Sequence, residues 1–465
     1  MSEPPIEADL LLSGATIVTM NADRHVIADG ALAVSKDRIV ALGKREALAR
    51  SVRAKDVIDA RRYVLTPGFI DGHIHISGDP LTRGFLRGAP GLPWPERLSK
   101  WVIPLFHAQT EADERLSARC AALSMMRYGT TCFLEAGTVR KLDAVMEGLA
   151  DTGIRGRLGE FVTGRALEPG EDQARASAEA IAILESEIER YPDQGDAKLA
   201  AWPLLVGHAM NSDEVWRAAK ALADQHGLRI SAHMSPYAED GAWYLAHLGR
   251  RPLEHLADLG VLGDNVALTH LVHIDQSELD ILAGSGVSAI HCPTAAMQGG
   301  FGLSQVGLFP EMLDRGVNLV LGTDGAATDI LSSARLSASI FRDARQDQDL
   351  FPPSTALEMA TVNGARAMGM EASIGSLEVG KKADMVLHDT YLSDWGGPQF
   401  DTVTQLVFCA PPAGVHSVWI DGVRVIEDGR ATLFDQDELL ADARQAGASL
   451  VGRLGLPIRT TWPVI

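Results

Sequence analysis

The chain has 465 residues, 46% hydrophobic and 22% charged, the balance of a globular protein with room for one large core and a smaller one. Its 42 Lys and Arg against 61 Asp and Glu leave a net charge of −19. A surface that acidic repels phosphate backbones and anionic lipid, which excludes nucleic acid and membrane surfaces as bulk partners and favours a small-molecule substrate.

The opening segment, Met1–Gly14, has no basic region followed by a long apolar run, so no signal peptide is expected. No apolar stretch approaches the ~20 residues of a transmembrane helix. Asp9–Met20 is strand-rich, and Ala31–Val34 and Arg38–Leu42 alternate about a Lys36–Asp37 turn. From Thr66 onward strands alternate with helices. Strand candidates end near His75, Glu135, Glu160, His208, His233, His270, His291 and Asp324. Helices such as Thr110–Tyr128, Asp172–Glu189, Asp213–His226 and Ser277–Ser285 fall between them. Eight strand-then-helix units predict a closed parallel (β/α)₈ barrel of the TIM type. The connection from Ile76 to Tyr128 is long, and long connections on a catalytic face are lids or binding loops. Within it Trp94, set between prolines, is a substrate-binding candidate; Trp101 reads equally well as packing. In the tail Ala383–His388 is a strand, and Val415–Ile420 turns at Asp421–Gly422 into Val423–Ile426. Strand-rich ends around a different middle predict one discontinuous β-sandwich, residues 1–65 and 376–465 with a C-terminal helix, enclosing a barrel over 66–375.

The four cysteines, Cys120, Cys132, Cys292 and Cys409, show no CxxC spacing. That argues against a Cys₄ zinc site and a disulfide framework, and for reduced thiols in a cytoplasmic protein. The histidines carry more. Nearly every barrel strand ends in His, Asp or Glu, and the C-terminal strand ends of such barrels form the active-site face. One such residue could merely cap a helix; six or seven on one rim form a site. His73-Ile74-His75 places two imidazoles on one face of a strand, where both reach a single cation.

Thr66-Pro67-Gly68-Phe69-Ile70-Asp71-Gly72-His73-Ile74-His75 resembles the opening barrel strand of the amidohydrolase superfamily. Leu321-Gly322-Thr323-Asp324-Gly325 resembles its eighth strand. Asn363-Gly364-Ala365 and the run from Ile374 to Asp384 resemble its exit into the β domain. Arg83-Gly84-Phe85-Leu86-Arg87-Gly88 and Tyr128-Gly129-Thr130-Thr131 are similar to one branch, that of the s-triazine chlorohydrolases, guanine deaminases and methylthioadenosine/adenosylhomocysteine deaminases. The resemblance implies one divalent metal ion held by His73, His75, His233 and Asp324. Three imidazoles and a carboxylate suit Zn²⁺ first, with Fe²⁺ or another divalent ion as alternatives. It implies that Asp324 takes a proton from metal-activated water and that His270, ending strand six, polarises that water and shuttles protons. His208 falls where substrate is contacted, and His291, ending strand seven, is either a pocket wall or a core histidine. Members with two metals carry a lysine at the end of strand four. Here Trp202–His208 ends without one and Lys198 sits at the other end, so a single ion is expected. By analogy a homo-oligomer is expected.

Two positions depart from the branch. Its deaminases carry Glu three residues after the strand-five His, to protonate the ring nitrogen; here that position is Pro236, with Glu239 and Asp240 further on. Strand seven runs on as Cys292-Pro293-Thr294-Ala295-Ala296-Met297, mostly without the polar groups that bind a heterocycle. Both favour metal-dependent C–N hydrolysis of a non-peptide amide, urea, carbamate or cyclic amide, with attack on an sp² carbon. Deamination or dehalogenation of an N-heterocycle is the alternative. A scaffold that had lost catalysis would lack ligands, and all four are present.

Overall fold

The computed structural model describes residues 4–85, 94–166, 170–194, 197–325, 327–392, 395–458, 460 and 462–463. Two parallel arcs make the barrel. Phe69–Ile74, Thr130–Glu135, Arg155–Leu158 and Leu199–Ala201 pair in that order. Leu204–Gly207, Ile230–Met234, Val266–His270, Ser288–His291 and Leu319–Leu321 form the second arc. The expected fourth strand is thus two pieces, broken at Trp202-Pro203. Proline has no N–H to give a ladder, and Trp202 N turns to Leu158 O at 3.0 Å. At the opposite seam Asp324 N donates to His73 O at 2.8 Å, joining strand eight to strand one. Asp71, buried in strand one, clamps the same seam by accepting from Thr323 N and Thr323 Oγ1.

The helices begin where local chemistry satisfies their first N–H groups. Glu111–Arg127 opens on Thr110, which forms a capping box with Asp113. Asp213–His226 opens on Ser212 and stops at Gly227 in the left-handed region. Gln276–Ser285 starts one residue before the expected Ser277, because Asp275 caps it jointly with Glu278. Among the described residues no helix is long and apolar enough to cross a membrane.

Both chain ends build one nine-stranded sheet. Its longest strand, Ile6–Val18, pairs with Val26–Ser35 along one edge. Along the other edge it meets Val52–Asp59 and then Tyr63–Pro67. This fork lets the sheet wrap a core. Alternation sends Leu32 and Val34 to one apolar cluster and Ala31 and Ala33 to another, so the sheet is covered on both faces. Tyr63–Pro67 pairs antiparallel with Met385–Asp389, tying the N-terminal strands to the C-terminal ones, and leads straight into the first barrel strand. The Asp421–Gly422 hairpin between Val415–Ile420 and Val423–Glu427 forms as expected, with both turn residues at positive φ. The C-terminal helix, Gln436–Leu454, returns to the catalytic side: Arg453 pairs with Asp113 and Arg453 Nε donates to Ala108 O at 3.3 Å.

Candidate metal centre and cavity

Parallel strands bring His73 and His75 from strand one, His233 from strand five, His270 from strand six and Asp324 after strand eight to one point. The His73 and His233 ring centroids are 4.6 Å apart, and those of His75 and His233 5.5 Å. His75 Nε2 lies 3.0 Å from Asp324 Oδ1. The outward nitrogens are occupied. His233 Nδ1 donates to Val206 O at 2.7 Å. His73 Nδ1 meets Thr269 Oγ1 at 3.1 Å. Thr138 Oγ1 gives its hydrogen to Glu135 Oε1 at 2.8 Å, so it accepts from His75 Nδ1 at 3.0 Å. In the His73 and His233 rings Nε2 is therefore the nitrogen left for a cation, while His75 Nε2 faces the Asp324 carboxylate; such outer partners are what orient metal-binding imidazoles. His73 Nε2 is buried with no partner. A divalent cation fits this donor set, and zinc fits it well.

The electrostatics agree. Burial pushes the His73 and His233 imidazoles well below the usual histidine range, which keeps them in the neutral, ligating form. Burial pushes the Asp324 carboxyl up, but the His75 hydrogen bond and the surrounding imidazoles outweigh it and hold it well below the carboxylate range. His270 is lowered to about 4, chiefly by burial. Its Nε2 lies 3.9 Å from Asp324 Oδ2. The backbone is strained at the same rim: His208, Ser235, His270, Leu271 and Asp324 all have positive φ, a costly conformation for residues with a Cβ. Gly207 lets strand four approach strand five, since a Cβ there would lie 2.0 Å from His233 O.

A cavity of about 580 Å³ opens over the ligands. Val102, Ile103, Phe106, Phe161, Met210 and Phe301 give it an apolar wall, with Asp79, Arg97, Thr138 and Gln298 as polar points. The long connection after strand one does supply a wall, through Arg97, Val102, Ile103 and Phe106. Trp94 opens a four-residue helix, and its side chain lies outside the described residues. Trp101 is buried against Phe85. His208 lines the cavity, and its Nδ1 lies 2.9 Å from Asp240 Oδ2. His291 is a departure from the pocket-wall reading. It packs against Phe309, Phe341 and Phe351, away from the cavity lining, because its strand turns that side chain into the barrel's aromatic wall. Burial lowers it to about 3.

Pro236 does stand in the cavity wall. Glu239 is exposed on the following helix, whereas Asp240 is buried, accepting from Ser235 N at 2.9 Å behind His208. Lys198 sits at the far end of its strand, 3.5 Å from Asp421 Oδ2, remote from the ligands. Sequence reasoning gave no role to Glu135, Thr138, Thr269 or Asp79, and weighed Asp240, with Glu239, only as a stand-in for the missing strand-five acid. Only Glu135 carried a usable signal, its place at a strand end.

A family model described as "Amidohydrolase family" matches residues 64–425. A 5-methylthioadenosine/S-adenosylhomocysteine deaminase from Syntrophobacter fumaroxidans is 30% identical over 443 residues, 94% of this chain and 97% of the relative. One of the same description from Symbiobacterium thermophilum is 30% identical, covering 95% and 99%. Among solved structures, an adenosine deaminase from Xanthomonas campestris with bound zinc superposes with a TM-score of 0.86 at 26% identity, covering 97% of this chain and 100% of that one. An atrazine chlorohydrolase from Arthrobacter aurescens, complexed with zinc, gives 0.85 at 21% identity over 94% and 100%, a likeness of fold.

Proposed function

We propose that this chain, which belongs to the amidohydrolase family, hydrolyses a non-peptide amide, urea, carbamate or cyclic amide with an apolar body. It is a metal-dependent hydrolase of C–N bonds. The observation that carries the substrate class is Pro236. It occupies the cavity wall where the strand-five proton donor is expected, and it has no proton to give. An amino group on an aromatic ring leaves only if the ring nitrogen is protonated during attack. A carbonyl needs no such help, because its oxygen can be polarised directly.

One ion per chain, held by His73, His75, His233 and Asp324, is part of this reading, with zinc favoured by the donors. When bound, such an ion supplies Lewis acidity, polarising a carbonyl oxygen and making water easier to deprotonate. Asp324, kept ionised, accepts the water proton. His270, across from Oδ2, passes a proton to the leaving nitrogen and donates to the developing oxyanion. His208, fixed by Asp240, contacts the substrate's polar group, and the wall of Val102, Ile103, Phe106 and Phe301 takes its apolar body.

A second reading, deamination of an aminoheterocycle, has support of its own. The relatives at 30% identity are described as deaminases, and His208, which lines the cavity, is paired with the Asp240 carboxylate at 2.9 Å. Purified, metal-loaded enzyme assayed in parallel against both panels decides. Turnover is expected on aryl or alkyl amides, ureas or carbamates. Ammonia release from guanine, adenosine derivatives or aminotriazines at about 10⁴ M⁻¹s⁻¹ or more overturns the first reading.

A further inference from the structure

The turn after strand two is built around one carboxylate. Glu135 ends that strand and is fully buried, and Gly137 follows it with φ at 70°. The left-handed glycine fits against strand four, where a Cβ would lie 3.3 Å from Leu204 Cβ. The chain doubles back there, and Glu135 accepts from Gly137 N at 2.6 Å, Thr138 N at 3.1 Å and Thr138 Oγ1 at 2.8 Å. Burial pushes the Glu135 carboxyl up to about 7, while His75 and these donors pull it the other way. Ala136 N donates to Ile74 O at 3.1 Å, which keeps the turn beside His75. Thr138 Oγ1 is thus held between the carboxylate and His75 Nδ1, 3.0 Å away. A hydroxyl has one hydrogen. The carboxylate takes it, and a lone pair remains for the imidazole. The other two rings are held differently. His233 Nδ1 meets a neutral backbone carbonyl. His73 Nδ1 meets the Thr269 hydroxyl, to which no carboxylate is hydrogen-bonded among the described residues.

We propose that Glu135, acting through Thr138, is a positioning residue for His75: it keeps Nδ1 protonated and Nε2 turned toward Asp324, and so sets how tightly the centre holds a cation. A hydroxyl that donates to a charge is a stronger acceptor at its own oxygen, because hydrogen bonds in a chain polarise one another. The ring whose N–H it accepts becomes more basic at its other nitrogen. The inference rests on His75 being a ligand, as read under the proposed function.

The test measures zinc binding to the full-length, metal-free protein by competition with a zinc-chelating dye, at about pH 8, above the Glu135 value. Thr138→Val keeps the shape of the side chain and removes the hydroxyl; Glu135→Gln keeps the size and removes the charge. Each should raise the zinc Kd about 10–100-fold, the usual reach of an outer partner of a ligating histidine. Thr138→Ser, which retains the hydroxyl, should bind zinc as the unaltered protein does. Because the two residues act in series, the double variant should be no weaker than Thr138→Val alone. An unaltered Kd in Thr138→Val, a Thr138→Ser protein as weak as Thr138→Val, or effects that multiply in the double variant overturns the relay. His75→Ala, measured alongside, separates this from failure of the ligand assignment. Full zinc affinity in His75→Ala overturns that assignment and the relay with it. Weakened binding in His75→Ala beside an unaltered Thr138→Val overturns the relay alone.

Discussion

The two ends of the barrel both bury charge and treat it in opposite ways. At the base, against the nine-stranded sheet, Arg155 Nη2 lies 2.6 Å from Asp421 Oδ1 and 3.5 Å from Asp384 Oδ2. Lys382 Nζ lies 2.8 Å from Asp37 Oδ2 and 3.6 Å from Asp421 Oδ1. Every carboxylate in that network has a cation. At the rim three imidazoles, His73, His75 and His270, gather about Asp324, His73 Nε2 has no partner, and five residues with a Cβ hold positive φ. Charge that the protein compensates with its own side chains fastens two units together. Lone pairs aimed at one point, on strained backbone, are held ready for a ligand.

The sharpest way to break this comparison is to remove a rim ligand. Asp324→Ala should take activity to background while thermal unfolding shows the fold intact. His270→Asn should keep the first metal and lower kcat by roughly 10²–10⁴-fold, the scale of acid–base catalysis. Loss of metal in that variant would make His270 a ligand. At the base the signature reverses. Arg155→Met removes the guanidinium that faces the buried Asp384 carboxylate and should cost about 3–5 kcal/mol in denaturant unfolding, with kcat/KM of the folded fraction unchanged.

Smaller effects sharpen the account. Asp240→Asn should lower kcat/KM by about 10–100-fold, the usual reach of a residue that orients another. Glu239→Gln, being exposed, should do nothing. Equal effects of the two would remove the His208–Asp240 pair from the mechanism. The smallest effect is a pH dependence. Burial lowers His291 and His388 from 6.5 to about 3. The unfolded chain then binds more protons below pH 6.5, so their contribution is full above 6.5 and is lost as pH falls toward 3. His291→Phe should flatten that acid limb of the stability profile; an unchanged slope would show that His291 does not titrate as described.

Much of the rim was legible because ligand chemistry restricts residue type and strand period restricts position. His73 and His75 two apart, and His233, His270 and Asp324 at strand ends, are visible in one dimension. So are helices such as Asp213–His226, whose first N–H groups need a cap like Ser212. What stayed hidden depends on packing between distant segments. Asp240 reaches His208 only after a helix begins, and Asp79 lies against Gly325 across the strand-one to strand-eight seam. His291 has the same strand-end signature as the ligands, yet three phenylalanines from later elements claim it. The parallel pairing of Val52–Asp59 with Ile6–Val18, which forks the sheet, leaves no local mark.

The central claim is that the unsatisfied rim holds a cation through His73, His75, His233 and Asp324, and metal content per chain tests it most directly. Protein purified without added metal should carry about one divalent ion, zinc by preference. His73→Ala and Asp324→Ala should carry almost none, and His270→Asn should carry as much as the unaltered protein. A metal-free protein that turns over substrate, or a His73→Ala protein with full metal content, would contradict the account.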